Sequence, residues 1–247
     1  MDPRTRQRII NRSLSVNVTC AGCFFGCAVG QEARGMIEHS RIFKSWSKGT
    51  YLFHSGDEAH GIWAVCSGKA KVFQETEQGK YLTLRIVIPG ELVGHRSVLA
   101  GEPFSASAIA LEDTRTAYLP TKVVMKLIEI EPKIRRKLFQ HLAGELGRAE
   151  SLATSMAYNK AEQRLLSALA SMCRGCFIGS DEKQTEYSEE LNLLAPRQEL
   201  AELAGLTVEA TVRTLRKLED LGILKAHGHR IQIFQPDILE HFNSLES

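Results

Sequence analysis

Six cysteines fall into three groups along the chain. Cys20, Cys23 and Cys27 lie close together in the run CAGCFFGC, Cys66 stands alone, and Cys173 and Cys176 form a second CxxC pair. Thiolates are soft ligands, and CxxC spacing lets two of them bind one zinc ion or iron–sulfur cluster. In a cytosolic chain this spacing favours metal or redox chemistry over structural disulfides, although any single cysteine can also be a small buried hydrophobic residue.

A second chemical pattern lies near the C-terminus, where Glu209 and Arg213 are four residues apart. On a helix this spacing puts both side chains on one face. Arginine can bond bidentately to guanine, and glutamate can accept a hydrogen bond from cytosine N4. Further polar side chains nearby suit phosphate contacts, which position a protein on DNA without reading its sequence. They are Thr207, Thr214, Arg216, Lys217 and Arg230.

The elements that must position these groups are predicted over residues 197–234. A first helix is expected over 198–204, followed by Gly205 in a tight turn, where glycine adopts a left-handed conformation most easily. Thr207 is a suitable N-cap for a second helix over 208–221. Gly222 ends that helix, and a β-hairpin turning at His227-Gly228-His229 follows. Helix, glycine turn, helix and basic hairpin in this order predict a winged helix-turn-helix, with the N-terminal half of the second helix in the major groove.

The centre of the chain shows two other periodicities. Over residues 48–120, short runs that alternate apolar and polar residues are separated by turn residues, which predicts a β-sandwich or barrel. Residues 121–158 then become helical in pattern, with Pro132 suited to a first turn. A narrow apolar stripe on this helix is typical of a two-stranded coiled coil, although packing on its own domain is the alternative. Its members are Leu138, Leu142, Leu146, Ala149, Leu152, Ala153 and Met156. Because Glu145 is the only acid near the stripe, we expect a homodimer even without effector.

These patterns predict an α+β chain in four parts: a cysteine-bearing arm over 1–30, a β-domain over 31–130, a dimerisation helix over 131–158 and a winged helix-turn-helix over 159–247. With 43% hydrophobic residues the chain is globular, and it has no apolar run long enough for a membrane span and no secretory signal, so we expect a cytoplasmic protein. A metal- or nucleotide-binding enzyme is disfavoured, because no Gly-rich phosphate loop, HExxH or GxSxG motif is present.

With these residues in place, the sequence resembles the Crp–Fnr superfamily of bacterial regulators over roughly residues 35–235. The runs that carry the resemblance are KGTYLFHSGD (48–57), WAVCSGKAKVF (63–73), PGELVGHRSVLAGEPFSASAIALED (89–113) and LAGLTVEATVRTLRKLEDLGIL. The resemblance implies a β-roll like a cyclic-nucleotide-binding jelly roll, a dimerisation helix and a winged helix-turn-helix. It also implies a homodimer that binds double-stranded DNA at a pseudo-palindromic operator and contacts RNA polymerase.

Two departures from the family pattern matter. Members that bind cyclic AMP have a glutamate after a glycine and an arginine before a serine, whereas here His95 follows Gly94 and Ser105 stands at the arginine position. An anionic phosphate would lose its guanidinium partner, which argues against cyclic-nucleotide binding. The E-x-x-S-R reading pattern of the Fnr branch appears with Val212 in place of serine. Valine cannot donate to a base edge but can pack on a thymine methyl.

The run CAGCFFGC resembles the N-terminal cysteine group of Fnr-like oxygen sensors, which hold a [4Fe–4S] cluster with three such cysteines and a fourth in the β-roll. This implies a cluster on Cys20, Cys23 and Cys27. The family's fourth position falls at about Ala117 or Tyr118, so Cys66, just before the Ser67-Gly68 turn, is the available replacement. Zinc binding, thiol–disulfide sensing, a haem held by His95 or a cysteine, a small-molecule effector and no metal at all remain open alternatives.

Overall fold

The computed structural model describes residues 24–26, 29–77, 79–173, 191–235 and 238–239. Cys20, Cys23, Cys27 and Cys176 lie outside the described residues. Within the described ranges, no helix combines the length and the apolar character needed to cross a membrane.

The N-terminal half is a β-roll of two antiparallel four-stranded sheets. One sheet has the order β1-β8-β3-β6 and the other β2-β7-β4-β5. The strands are β1 (Ile42–Trp46), β2 (Tyr51–Phe53), β3 (Gly61–Ser67), β4 (Ala70–Glu75), β5 (Tyr81–Val87), β6 (Leu92–Val93), β7 (Ser107–Ala110) and β8 (Thr114–Pro120). The alternation over residues 48–120 therefore predicts strands β2 to β8 but not β1, which lies before that range, and the expected fold class is confirmed.

Strand β3 is buried on both faces, which explains its nearly continuous apolar sequence. On one face, Val65 lies in the core between the two sheets. On the other face, Ile62 and Ala64 pack into a second core formed with the surrounding helices. A strand between two apolar layers loses the polar alternation of a half-exposed strand. This second core brings the helices and the residues of the cysteine-bearing arm onto the roll.

Four helices accompany the roll: α1 (Gln31–Ser40), α2 (His95–Ala100), α3 (Thr121–Ile130) and the long α4 (Pro132–Tyr158). Pro132 occupies the first turn of α4, and the Glu131 side chain caps this helix by accepting from the Lys133 amide at 3.2 Å. Leu138 is only 4% exposed and lies in the protomer's own second core. The expectation that Leu138 belongs to a dimer stripe is therefore wrong, because its side chain is used to hold α4 on the roll.

The C-terminal part contains α5 (Ala161–Cys173), β9 (Leu191–Leu194), α6 (Arg197–Ala204), α7 (Val208–Asp220), β10 (Leu224–His227) and β11 (Arg230–Ile233). The three strands form an antiparallel sheet in the order β10-β11-β9. Its core also includes Ile86 of β5 and Ile88, which follows that strand. The C-terminal unit therefore packs directly on the β-roll through shared apolar contacts.

Candidate DNA-binding interface and sensing region

Helices α6 and α7 present the expected recognition surface. Gly205 joins them with φ of 59°, a left-handed conformation that glycine adopts without strain. Thr207 caps α7, because its Oγ1 accepts from the Ala210 amide at 3.1 Å. Thr211, Leu215 and Leu218 are buried against the domain core. The opposite face of α7 is thereby fixed towards solvent.

That outward face carries the proposed base readers. Glu209 and Arg213 are exposed, and Val212 is half-buried between them and the core face. The pKa of Glu209 is held below its ordinary value, first by its own backbone N–H and then by the Thr207 hydroxyl. Its carboxylate is therefore charged at neutral pH and able to accept from a base-edge amino group. Arg216 is also exposed on this face.

Two expected phosphate contacts have other roles in the structure. Thr214 is buried, and its hydroxyl donates to the Ala210 carbonyl at 2.8 Å, so it does not reach a phosphate. Lys217 is exposed, and its Nζ lies 2.9 Å from Glu162 Oε1 on α5. If Lys217 is to contact a DNA phosphate, its ion pair with Glu162 must break, or the ammonium group must contact both the carboxylate and the phosphate. The Lys217–Glu162 pair also links α7 to α5.

The wing is the hairpin of β10 and β11, in which His227 pairs with Arg230 across the turn. Gly228 has φ of 58° in that turn, and Arg230 is exposed beside it. Strand β9, which the sequence analysis did not identify, pairs with β11 and thereby fixes the wing on the domain. The alternating LNLL run with Leu193 buried is the local signal that would have indicated it.

A short helical turn, Phe24–Gly26, lies between Cys23 and Cys27 in the sequence. Phe24 and Phe25 are buried in the second core. The Phe24 ring packs edge-on against the His141 ring of α4 with centroids 5.9 Å apart, and Lys137 Nζ donates to the Phe24 carbonyl at 3.1 Å. The cysteine run is therefore attached directly to the long helix.

A second contact ties the arm to the same helix. The Gly30 amide donates to Glu131 Oε2 at 2.8 Å, at the N-terminus of α4. Gly30 and then the Lys133 amide hold the pKa of Glu131 below its ordinary range. The carboxylate thus joins the end of the arm to the first turn of α4.

Cys66 lies at the end of β3, where the pairing with β8 shifts register between Val65 and Ser67. It is half-buried, and its Sγ lies 3.7 Å from the Ala64 carbonyl oxygen. Cys66 is the residue at which this register shift interrupts the ladder, directly after Val65, whose side chain lies in the core between the sheets. Ala64 pairs with Ala117, so the family's cysteine position lies on the neighbouring strand, opposite a residue two positions before Cys66.

A polar cluster joins the roll to α4 close to Phe24. His95 Nε2 lies 2.9 Å from Glu145 Oε2, while His141 Nε2 and Arg85 Nη1 lie 3.2 and 2.6 Å from Glu145 Oε1. Burial lowers the pKa of His95 below its ordinary value, and Glu145 opposes that effect only in part. Burial alone would raise the pKa of Glu145, but His141, His95 and Arg85 together hold it far below its usual range. Neutral His95 and ionised Glu145 therefore face each other at neutral pH.

A cavity of about 1150 Å³ opens beside this cluster, between the β-roll, α4 and the start of the C-terminal unit. Arg96 Nη1 donates to Ser105 Oγ at 2.6 Å at its edge. A guanidinium thus reaches Ser105 from α2, although Ser105 itself stands where cyclic-AMP-binding members have arginine. Arg96 therefore supplies a guanidinium beside the position where the family's arginine is missing.

The outer face of α4 carries exposed apolar side chains. Phe139 and Leu146 are 63% and 62% exposed. They form an exposed stripe with the small residues Ala143, Ala149 and Ala153. Leu142 packs on the second core instead, and Met156 accepts a contact from Arg164 of α5. Glu145 points to the roll rather than into this stripe, whereas exposed Glu150, four residues after Leu146, lies on it.

Comparison with known proteins agrees with this geometry. The cyclic nucleotide-binding domain model matches residues 43–131, and the Crp-like helix-turn-helix domain model matches residues 163–242. The transcriptional activator protein anr of Pseudomonas aeruginosa is 27% identical over 187 residues, covering 75% of this chain and 74% of that protein. The fumarate and nitrate reduction regulatory protein of Escherichia coli K12 is 28% identical over 197 residues, covering 79% of this chain and 76% of that protein.

Solved structures show the same fold. The c-di-GMP responsive global regulator CLP of Xanthomonas campestris superposes with a TM-score of 0.70 at 20% identity, over 83% of this chain and 99% of that one. FixK2 of Bradyrhizobium japonicum gives 0.67 at 22% identity, over 84% and 98%.

A β-roll of the cyclic nucleotide-binding type joined by a long helix to a winged helix-turn-helix defines a DNA-binding transcription regulator rather than an enzyme. This chain belongs to the Crp–Fnr superfamily of regulators. Regulators of this family bind DNA through the helix-turn-helix and act as dimers.

Proposed function

We propose that this regulator responds to oxygen or redox state through a [4Fe–4S] cluster held by Cys20, Cys23, Cys27 and Cys66. Clusters of this type are held by four thiolates, and their stability depends on solvent access and on the groups around the sulfurs. The similarity to the anr activator and to the fumarate and nitrate reduction regulator supports this choice over zinc or a simple dithiol.

The observation that carries the proposal is the packing of Phe24 on α4. The residue lies between two of the proposed ligands, its ring contacts His141, and its carbonyl accepts from Lys137. A cluster would fix the conformation of the CAGCFFGC run, and loss of the cluster would release it. Because Phe24 and Phe25 are part of the second core, such a change must repack the N-terminal half of α4.

Cys66 fits the role of fourth ligand on two grounds. It lies at a strand end and is half-buried, so its sulfur is reachable from outside the sheet. It also follows Ala64 by two residues, and the Ala64 side chain lies in the same core as Phe24.

A continuous set of contacts connects the cysteine-bearing arm, through α4, to the DNA-binding unit. Helix α4 begins at the Glu131–Gly30 contact with the arm and ends at Tyr158, three residues before α5 of the DNA-binding unit. In the proposed homodimer, the exposed stripe of one α4 packs on that of its partner, so the stripe sets the separation of the two recognition helices. Two such helices on one face of DNA read a pseudo-palindromic operator. We place the protein in the cytoplasm, where contact with RNA polymerase would turn binding into transcriptional control.

On the recognition helix, Glu209 and Arg213 read bases and Val212 packs against a thymine methyl. Thr207, Arg216, Lys217 and Arg230 contact phosphates, Lys217 after leaving Glu162. Each of these side chains except half-buried Val212 is exposed.

Spectroscopy and metal analysis on protein purified without oxygen test the cluster directly. We expect about four iron and four sulfide per chain and a broad absorbance near ~400 nm that air exposure bleaches. Cys66→Ala should lose most of the iron, whereas Cys173→Ala is the matched control because Cys173 is fully buried in the C-terminal core. Protein without iron and sulfide would contradict the proposal, and stoichiometric zinc in its place would favour the zinc alternative.

A further inference from the structure

Separate from the proposed cysteine site, His95, His141 and Glu145 form a compact group of potential metal ligands. Each offers one ligand atom, and these atoms lie within 4.8 Å of one another. His141 and Glu145 are one helical turn apart on α4, so both project from the same face. His95 comes from the β-roll, at the first residue of α2 after Gly94. The group therefore connects the roll to the long helix.

The histidines of this group keep unused bonding capacity. The His95 side chain is 2% exposed, yet its Nδ1 makes no hydrogen bond within the described part of the chain. His141 Nε2 is likewise a buried atom that, among the described residues, has no well-aligned hydrogen bond, although it lies 3.2 Å from Glu145 Oε1. Buried polar atoms are nearly always satisfied, and those that are not commonly mark a site for an ion or ligand.

We propose that His95, His141 and Glu145 bind a divalent transition-metal ion, with Zn²⁺ as the best match. Two imidazoles and one carboxylate are a familiar ligand set for zinc, with bonds of about 2.0–2.2 Å and a fourth position left for water. His95 Nε2 lies 2.9 Å from Glu145 Oε2 and His141 Nε2 lies 3.2 Å from Glu145 Oε1, each close to the roughly 3.3 Å that separates ligand atoms around a tetrahedral ion with such bonds. Because the two nitrogens contact different oxygens, the carboxylate would turn on binding so that one oxygen joins both nitrogens around the ion.

Arg85 sets the strength of this site. Its Nη1 lies 2.6 Å from Glu145 Oε1, and its Nη2 donates to the Leu92 carbonyl at 2.8 Å. The guanidinium orients the carboxylate from behind, as outer-shell partners of metal ligands do. The positive charge of Arg85 also repels a metal ion bound to Glu145. We therefore expect the site to bind its ion with modest affinity, so that binding is reversible and the ion is not a permanent structural one.

Metal binding here would clamp α4 to the roll at the turn of α4 that follows His141. The Phe24 ring packs on the other side of the same imidazole. Occupancy of this site would therefore stiffen the surface on which the cysteine-bearing arm rests. A divalent ion would therefore be a second effector of this regulator, and its action would not require the cysteines.

Cobalt titration tests the site. The protein is the full chain carrying Cys20→Ser, Cys23→Ser, Cys27→Ser and Cys66→Ser, stripped with a chelator, so that neither success nor failure depends on the cluster. Co²⁺ is the probe, followed by visible absorbance and then displaced by Zn²⁺. We expect one equivalent with ligand-field bands and no thiolate charge-transfer band.

Variants in the same background locate that equivalent. Glu145→Gln, which keeps the shape of the side chain, and His141→Ala should each weaken binding at least about tenfold. His60→Ala is the matched control, because His60 contacts Glu58 in an exposed pair elsewhere on the roll. Zn²⁺ should raise the melting temperature of the parent and the control but not of the two ligand variants. No bound equivalent, or equal affinity in parent and Glu145→Gln, overturns the proposal.

Discussion

Lys71 Nζ on β4 lies 2.5 Å from Glu202 Oε2 on α6, and the two side chains are 14% and 6% exposed. The pair joins the β-roll to the helix-turn-helix. Gln198 supports it by donating to the other Glu202 oxygen at 3.0 Å. The position of the DNA-binding unit on the roll is therefore held by a buried charge pair as well as by the apolar contacts of Ile86 and Ile88.

Removing one member of this pair should destabilise the protein strongly. Lys71→Met leaves Glu202 buried without its cation, and we expect a loss of about 3 kcal/mol in the free energy of unfolding. The double variant Lys71→Met with Glu202→Leu should recover most of that loss, because it removes the stranded charge. Denaturant unfolding measures both effects. Lys126→Met, which breaks the exposed Lys126–Glu129 pair, is the control and should change stability by less than about 0.5 kcal/mol.

Arg213 and Arg216 should differ in their effects on DNA binding although both are exposed on α7. Arg213→Ala should cost about 1–3 kcal/mol on the preferred operator and relax the preference at one base pair. Arg216→Ala should weaken binding to all sequences about equally and reduce the salt dependence. Selection from random DNA followed by fluorescence anisotropy against salt separates the two. Equal loss of specificity in both variants would contradict the assignment of Arg213 as a base reader.

The exposed stripe of α4 should carry the dimer. Leu146→Glu places a charge on an apolar surface that two copies must bury, and we expect it to raise the dimer dissociation constant at least about tenfold. Helix content should remain, since Leu146 is 62% exposed in the protomer. Sedimentation velocity over a range of protein concentrations measures the dimer dissociation constant. Gln140→Glu, at an exposed position about one third of a turn from Leu146, is the control and should leave the dimer intact.

The contact between Glu131 and Gly30 predicts a dependence on pH. Because the folded-state pKa of Glu131 is lowered, its stabilising contribution is complete above the ordinary value of 4.5 and disappears as the pH falls through the lowered value. The melting temperature of the parent should therefore exceed that of Glu131→Gln at neutral pH, and the gap should narrow below about pH 4. Glu129→Gln, which alters an exposed glutamate on α3, should show no such gap. A gap that stays constant down to pH 3 would contradict this role.

Local patterns predicted the elements that depend on local physics. Gly205 and Thr207 marked the turn and the cap of the recognition helix, and both are observed in those roles. Strand β2 and the start of α4 at Pro132 also follow the sequence signals. In each case one or two residues determine a backbone conformation, so neighbours along the chain suffice for the prediction.

Contacts between distant segments could not be predicted in the same way. The helical periodicity of α4 does not say which apolar side chains face its own roll, so Leu138 was assigned to the wrong surface. Glu145 was read as an acid near a dimer stripe, whereas His95 and Arg85, 50 and 60 residues before it, draw it to the roll. Strand β9 forms by pairing with the edge of β11, which lies more than 30 residues later in the sequence, so the local sequence alone did not predict it.

The central claim is that the state of the N-terminal cysteines controls the DNA-binding surface through α4. Its most direct test is the affinity of one anaerobic preparation for a selected palindromic DNA, measured before and after exposure to air. We predict at least about tenfold weaker binding after exposure, within the usual range of coupling between two sites, and no change on exposure in the Cys23→Ser variant. Equal affinity of the parent protein before and after exposure would contradict the account.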